Sequence, residues 1–126
     1  MFSELTVTFE GDHVLVQSDG EKDYESIERL WAKVSRVCEK HRCFNVLGIG
    51  NSTRPFEVME GYEHPRVFRE YGIDGRYRLA WVELNPDAMD VVELTANILA
   101  SRDLPGRLFP TVDEAKKWLL ELDDSR

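Results

Sequence analysis

The residues with the clearest potential for chemistry are two hydroxyls beside an arginine, in the segment Asn51-Ser52-Thr53-Arg54 that precedes Pro55. Ser and Thr often cap helices, and Pro is favoured at the first helical position, so the segment indicates a helix start. The unpaired N–H groups of a helix start also bind phosphate, and Arg54 would add a positive charge there. Two interpretations of Ser52 and Thr53 therefore stay open: helix caps, which are the more common, or the place where a phosphate is attached.

A second candidate is His64, which has acidic residues nearby at Glu57, Glu60 and Glu63. A histidine within hydrogen-bond distance of a carboxylate can act as a general acid/base pair. No nucleophile with a defined partner accompanies them in the sequence, so a surface histidine among acids is the favoured interpretation. The alternative is an enzyme or a small-ligand carrier that uses His64 and these acids.

Metal and nucleotide sites are less well supported. Cys38, His41 and Cys43 are residue types that bind zinc, but Cys38 lies on the apolar stripe of a predicted helix, Cys43 follows that helix, and no fourth ligand is nearby. Gly48 and Gly50 do not begin a dinucleotide fingerprint, because Thr53 stands where its third glycine belongs, and no P-loop motif follows. We predict no metal and no cofactor, no catalytic residue, and glycines that pack beneath a bulky neighbouring side chain.

These candidates must be positioned by alternating strands and helices, because the hydrophobic period switches along the chain between two and about 3.6. The strand that precedes the polar segment delivers it to the carboxyl edge of a sheet, where ligands dock in open α/β folds. The first half of the chain predicts a hairpin with its turn at Glu10-Gly11-Asp12, a helix from Asp23 to His41 that packs Trp31 on the sheet, and a strand from Phe44 to Gly50. Two short helices follow, interrupted by Gly61 and Pro65, and then a strand from Tyr77 to Leu84. The remaining elements are a helix capped by Asn85-Pro86, a strand from Arg107 to Phe109, and a helix that begins with the capping box Thr111 to Glu114.

This order predicts one α/β domain over residues 1–126. Its single mixed sheet has about five strands, an opening β-hairpin followed by parallel strands, and four to five helices cover it. A length of 126 residues with 42% hydrophobic and 32% charged residues is typical of a soluble domain with a core of its own. The net charge of -8 argues against nucleic acid as a partner. Two cysteines, no leader peptide and no apolar membrane span predict a cytoplasmic protein.

The region that follows the polar segment is richer in apolar side chains than two short helices need to cover one sheet face. Core packing is the favoured interpretation for most of them, but Phe56 and Met59 adjoin the polar segment. A protein partner, or a small apolar or anionic ligand, fits such a surface, and a homodimer through apolar helix faces stays open. The predicted binding site consists of Asn51, Ser52, Thr53, Arg54, Phe56 and Met59.

One stretch carries a family resemblance. The chain ends with a short strand, an acidic turn and an Ala-x-x-Trp-Leu helix, in the sequence Arg107-Leu108-Phe109-Pro110-Thr111-Val112-Asp113-Glu114-Ala115-Lys116-Lys117-Trp118-Leu119. This ending resembles the SpoIIAA-like branch of the STAS domains, and the order of elements agrees with that family over the whole chain. The resemblance implies a cytoplasmic regulatory or binding domain similar to anti-sigma factor antagonists, without metal or catalysis.

In phosphorylated members of that family, the turn after the corresponding strand carries an Asp-Ser-Ser-Gly-like motif, and its serine accepts phosphate from a partner kinase. Here Asn51 stands in place of the aspartate and Arg54 in place of the glycine. Ser52 and Thr53 stand at the positions of the two serines in that motif, so the resemblance implies Ser52 or Thr53 as the phosphorylation site.

Overall fold

The structure is a computed structural model that describes residues 4–21, 24–54 and 58–124, with side chains for residues 5–19, 25–51 and 62–120. Strands and helices alternate along these ranges in the predicted order. They are β1 (Glu4–Phe9), β2 (Val14–Glu21), α1 (Tyr24–His41), β3 (Asn45–Arg54), α2 (Val58–Glu70), β4 (Arg78–Glu83), a 3-10 turn (Pro86–Ala88), α3 (Met89–Ser101), β5 (Arg107–Leu108) and α4 (Val112–Asp124).

The strands form one sheet in the order β1-β2-β3-β4-β5. β1 and β2 are antiparallel, as expected for strands joined by a short turn, and each later pair of neighbours is parallel. The predicted α/β fold with a single five-stranded mixed sheet is therefore confirmed.

Alternation along the central strands divides the core into two layers. Val46 of β3 and Leu79 of β4 belong to the cluster formed with α1, α2 and α3 on one face of the sheet. Leu47 and Ala80, one position further along each strand, belong to the cluster formed with α4 on the other face. Both faces of the parallel strands are covered, which explains why these strands read as continuous apolar runs.

The predicted helix boundaries at Asn85, Thr111 and Gly72 are confirmed, whereas Asp23, the predicted start of α1, lies outside the described residues. Asn85 Oδ1 accepts a hydrogen bond from the N–H of Asp87 at 3.0 Å, and Thr111 Oγ1 accepts one from the N–H of Glu114 at 3.1 Å. Gly72 follows α2 with a φ of 71°, a left-handed conformation that glycine adopts without strain.

Two predicted boundaries are wrong. The central strand does not end at Gly50, because β3 continues to Arg54 and remains paired with β2 up to that residue. The segment between Phe56 and Tyr71 does not form two short helices, because α2 runs through Pro65 without interruption. Pro65, Val67 and Phe68 are all buried, and this packing outweighs the single backbone hydrogen bond that a proline removes.

Candidate functional site

Trp81 lies across the two glycines of β3. Gly48 is the β3 partner of Trp81 in the parallel ladder, and a Cβ atom built on Gly48 would lie inside contact distance of the indole ring. A Cβ built on Gly50 would lie 2.9 Å from the same ring and 2.8 Å from Oε1 of Glu83. The prediction that these glycines pack beneath a bulky neighbour is confirmed, and their missing side chains leave room for the indole.

A cavity of about 60 Å³, lined in part by Trp81, lies between the sheet and helices α1, α2 and α3. Its wall is largely apolar, and the half-buried residues Trp81, Val92, Ala96 and Leu108 mark where it approaches the surface. The lining consists of Ile27, Leu30, Trp31, His64, Phe68, Leu79, Trp81, Glu83, Val92, Thr95, Ala96, Leu99, Gly106, Arg107 and Leu108. Because Glu83 ends β4, the cavity reaches the carboxyl edge of the parallel strands, where α/β folds bind their ligands.

His64 lies inside this layer, so the expectation of a surface histidine is wrong. Only 4% of His64 is exposed, and its ring meets the rings of Trp31 and Phe68 edge-on, at centroid distances of 6.4 and 6.2 Å. The centroid of the Trp31 ring lies 4.8 Å from the centroid of the Phe68 ring and 5.9 Å from that of the Trp81 ring. The four rings form one aromatic cluster on the cavity wall. Trp31 packs on the sheet as predicted.

Three further polar groups lie in the cavity wall. Glu83 is 5% exposed, and its Oε2 accepts a hydrogen bond from the backbone N–H of Asn85 at 3.2 Å. Thr95 is 6% exposed and donates its hydroxyl to the carbonyl of Val91 at 2.8 Å. The Nε1 donor of Trp31 is buried and has no hydrogen-bond partner among the residues that the structure describes.

The predicted site residues lie at the same edge of the sheet but not in a turn. Asn51 is exposed, and Asn51–Arg54 form the last four residues of β3, with Asn51 opposite Asp19 and Arg54 opposite Glu21 of β2. The pairing of β3 with β4 ends earlier, at Gly50 and Glu83. This segment therefore extends past β4.

The other predicted site residues are described less fully. Met59 falls in the first turn of α2, in backbone only, and Phe56 lies outside the described residues. The side chains of Ser52, Thr53 and Arg54 lie outside the described set as well. The structure thus places Asn51–Arg54 at the end of β3, and α2 begins at Val58.

The residues considered for zinc are separated by their environments. Cys38 is fully buried, whereas the His41 ring is exposed and stacks on Phe9 at a centroid distance of 4.3 Å. Burial, with the nearby Cys43 thiol adding to it, raises the pKa of Cys38 to about 12, which keeps the thiol protonated and a poor metal ligand. Within the described part of the chain, no group of three or more His, Cys, Asp or Glu residues is placed to hold a metal ion.

The sequence interpretation missed Trp81, Glu83 and Thr95 as site residues. One local signal for Glu83 was available: it is a charged residue between the apolar residues Val82 and Leu84, near the end of a predicted strand. A carboxylate at such a position is buried only where other groups compensate it, which is typical of a site. Trp81 and Thr95 carry no comparable signal, because both residue types occur commonly in cores.

Comparison with solved structures found a similar fold. An anti-sigma factor antagonist from Mycobacterium paratuberculosis superimposes with a TM-score of 0.58 over 94% of each chain, at 12% sequence identity. No family model and no curated protein matched the sequence. Among the described residues, no helix is long and apolar enough to cross a membrane. At this level of identity the likeness concerns the fold, and it agrees with the architecture predicted from the order of elements.

Proposed function

We propose that this chain is a non-catalytic regulatory domain that binds a protein partner at the carboxyl end of β3. The support is the likeness of its fold to an anti-sigma factor antagonist over 94% of both chains. By this analogy the partner is an anti-sigma factor. The recognition surface is the strand end Asn51–Arg54 together with Phe56 and Met59.

The observation that carries this choice of surface is the unequal pairing of β3. Its pairing with β2 continues to Arg54, whereas its pairing with β4 stops at Gly50. Backbone groups on the β4 side of Asn51–Arg54 therefore meet no described strand, and an extended backbone of this kind is a common template for a partner segment. The sequence at this end is polar, and it includes one arginine in an otherwise acidic protein. That charge favours an acidic partner surface.

Ser52 and Thr53 are the proposed sites of regulation. A phosphate on either residue would add close to two negative charges to the recognition surface. Because the unmodified surface favours an acidic partner through Arg54, phosphorylation should weaken that binding by repulsion. The domain would then release its partner when it is phosphorylated.

The test is affinity capture from an extract of the source organism. We expect the unaltered chain to retain an anti-sigma factor, and a variant carrying Asn51→Ala, Ser52→Ala and Thr53→Ala to lose it. The matched control carries Thr6→Ala, Thr8→Ala and Gln17→Ala, exposed positions on the β1–β2 part of the sheet. Equal retention by both variants, with both folded by circular dichroism, would overturn the proposed surface.

Mass spectrometry of the protein purified from its source tests the regulatory part separately. We expect a fraction of molecules with one added phosphate in the peptide that contains Ser52 and Thr53. Finding that peptide only in its unmodified form, under conditions in which the partner is both bound and free, would remove phosphorylation and leave the binding surface in place.

A second candidate function, a small-ligand carrier that uses His64, is supported by the burial of His64 against the cavity. The side chains of Glu57 and Glu60 lie outside the described set, and among the described lining residues the acidic one is Glu83.

A further inference from the structure

We propose that the cavity between α1, α2, α3 and the sheet binds a small, neutral, mostly apolar molecule whose carbonyl oxygen accepts a hydrogen bond from Nε1 of Trp31. None of the described lining residues belongs to the partner surface at the end of β3, so the proposal goes beyond the regulatory function. It rests on the second candidate, the small-ligand carrier, and names the class of ligand. It depends on the size of the cavity, on its polar groups and on its charge.

The size sets the scale of the ligand. A water molecule needs about 10–15 Å³ of such space, so a cavity of about 60 Å³ encloses roughly five non-hydrogen atoms. That corresponds to most of a six-membered ring, with further atoms projecting between the half-buried Val92 and Ala96. The apolar wall and the aromatic rings of Trp31 and Trp81 favour a hydrocarbon body over a polar one.

The polar group of the ligand is inferred from the side chain of Trp31. This side chain is 4% exposed, lines the cavity, and has no partner for its Nε1 among the described residues. Buried indole N–H groups usually find an acceptor, and leaving one unpaired is unfavourable. The indole N–H is a donor only, so the ligand must present an acceptor, which an ammonium group lacks.

The charge of the cavity wall favours a neutral hydrogen-bond acceptor over an anionic one. Two charged residues line the cavity, Glu83 and Arg107. Glu83 is 5% exposed, whereas Arg107 is exposed and its guanidinium lies over the rings of Phe109 and Trp118, which belong to the cluster on the other face of the sheet. The whole chain carries a net charge of -8. A carboxylate ligand would enter against this field in a poorly solvated site. A neutral carbonyl satisfies the Trp31 donor without that repulsion, so it is the favoured group.

The test uses two molecules of the same shape, cyclohexanone and methylenecyclohexane, with cyclohexanecarboxylate as the charged probe. Each is titrated into the full chain labelled with ¹⁵N while the indole N–H resonances are followed. We expect cyclohexanone to shift the Trp31 resonance saturably and to bind about fivefold more tightly than methylenecyclohexane, the value of one net hydrogen bond. The carboxylate is expected to bind more weakly than either.

Three variants separate the hydrogen bond from the cavity. Trp31→Phe should weaken both neutral molecules, because each loses contact with the larger ring, but it should weaken cyclohexanone about fivefold more than methylenecyclohexane, because only the ketone also loses a hydrogen bond. Trp118→Phe, which alters an indole outside the cavity, should change neither. Ala96→Leu fills the cavity and should abolish both.

Several results would overturn the proposal. These are equal affinity for cyclohexanone and its hydrocarbon analogue, tighter binding of the carboxylate, binding that survives Ala96→Leu, or no saturable shift because only water enters the cavity. If Trp31→Phe does not fold, the comparison of the two neutral molecules on the unaltered chain decides the matter.

Discussion

Trp81 occupies the space that side chains at Gly48 and Gly50 would fill, and this relationship joins the fold to the cavity. Gly48 is the ladder partner of Trp81 on the neighbouring parallel strand, and an added Cβ there would overlap the indole ring. The centroid of its ring lies 5.9 Å from the centroid of the Trp31 ring, and Trp81 forms part of the cavity wall. Glycine at position 48 is therefore required for packing and not for a turn.

The first prediction concerns this contact. Gly48→Ala should lower the free energy of unfolding by about 2 kcal/mol, because the added Cβ overlaps the indole ring of Trp81 and forces it to shift, and this overpacking outweighs the gain from replacing glycine. Gly75→Ala is the matched control, since a Cβ there meets nothing within 4 Å. It should leave stability unchanged or raise it by up to about 1 kcal/mol. Urea denaturation of both variants measures the difference.

A double-mutant cycle identifies the cause. In a Trp81→Leu background, Gly48→Ala should cost less than in the unaltered chain, because the overlapping ring is gone. An equal cost in both backgrounds would show that the strain comes from the backbone and not from Trp81.

The fold was predictable because its signals are local. Hydrophobic period, capping residues and turn glycines each act within a few positions, and the hairpin, the helix α1 and the cap at Asn85 all follow from them. Local signals do not specify strand register. The sequence indicated that Gly48 lies beneath something bulky, but the partner, Trp81, is distant in sequence and is fixed only when β3 and β4 pair.

The site was less predictable because its elements depend on tertiary packing. His64 and Phe68 are four residues apart, so they share a face when α2 is one continuous helix. The prediction of a break at Gly61 and Pro65 hid this relation. With that relation restored, His64 belongs to a buried stripe. The polar residues of Asn51–Arg54 resembled a turn in composition, yet pairing with β2 holds them in strand conformation.

The second prediction tests the packing of α2. Phe68 is fully buried and meets Trp31 edge-on, so Phe68→Ala should cost about 4 kcal/mol. Tyr62 lies on the same helix with 52% of its surface exposed, and Tyr62→Ala should change stability by less than about 0.5 kcal/mol. Urea unfolding followed by circular dichroism gives both values. Similar losses in the two variants would contradict the orientation of α2.

The third prediction concerns the start of α4, the helix that covers the second face of the sheet. Thr111 Oγ1 accepts a hydrogen bond from the N–H of Glu114, so Thr111→Ala should lower the free energy of unfolding by about 1 kcal/mol. Thr111→Ser keeps the oxygen and should retain most of the stability. A loss in the serine variant as large as in the alanine variant would show that the threonine methyl group, not the cap, is responsible.

The fourth prediction is a loss of stability in alkali that depends on Cys38. Burial raises the pKa of this thiol from 9.0 to about 12, so between those values the unfolded chain releases a proton that the folded chain keeps. The unfolded state then binds fewer protons, and the free energy of unfolding falls as pH rises through this window. Cys38→Val removes the group with little change in volume, so its stability should fall less steeply between pH 9 and pH 11. Parallel slopes for the two proteins, measured by urea denaturation, would mean that Cys38 ionises in the folded state, and that the core around α1 is open to water.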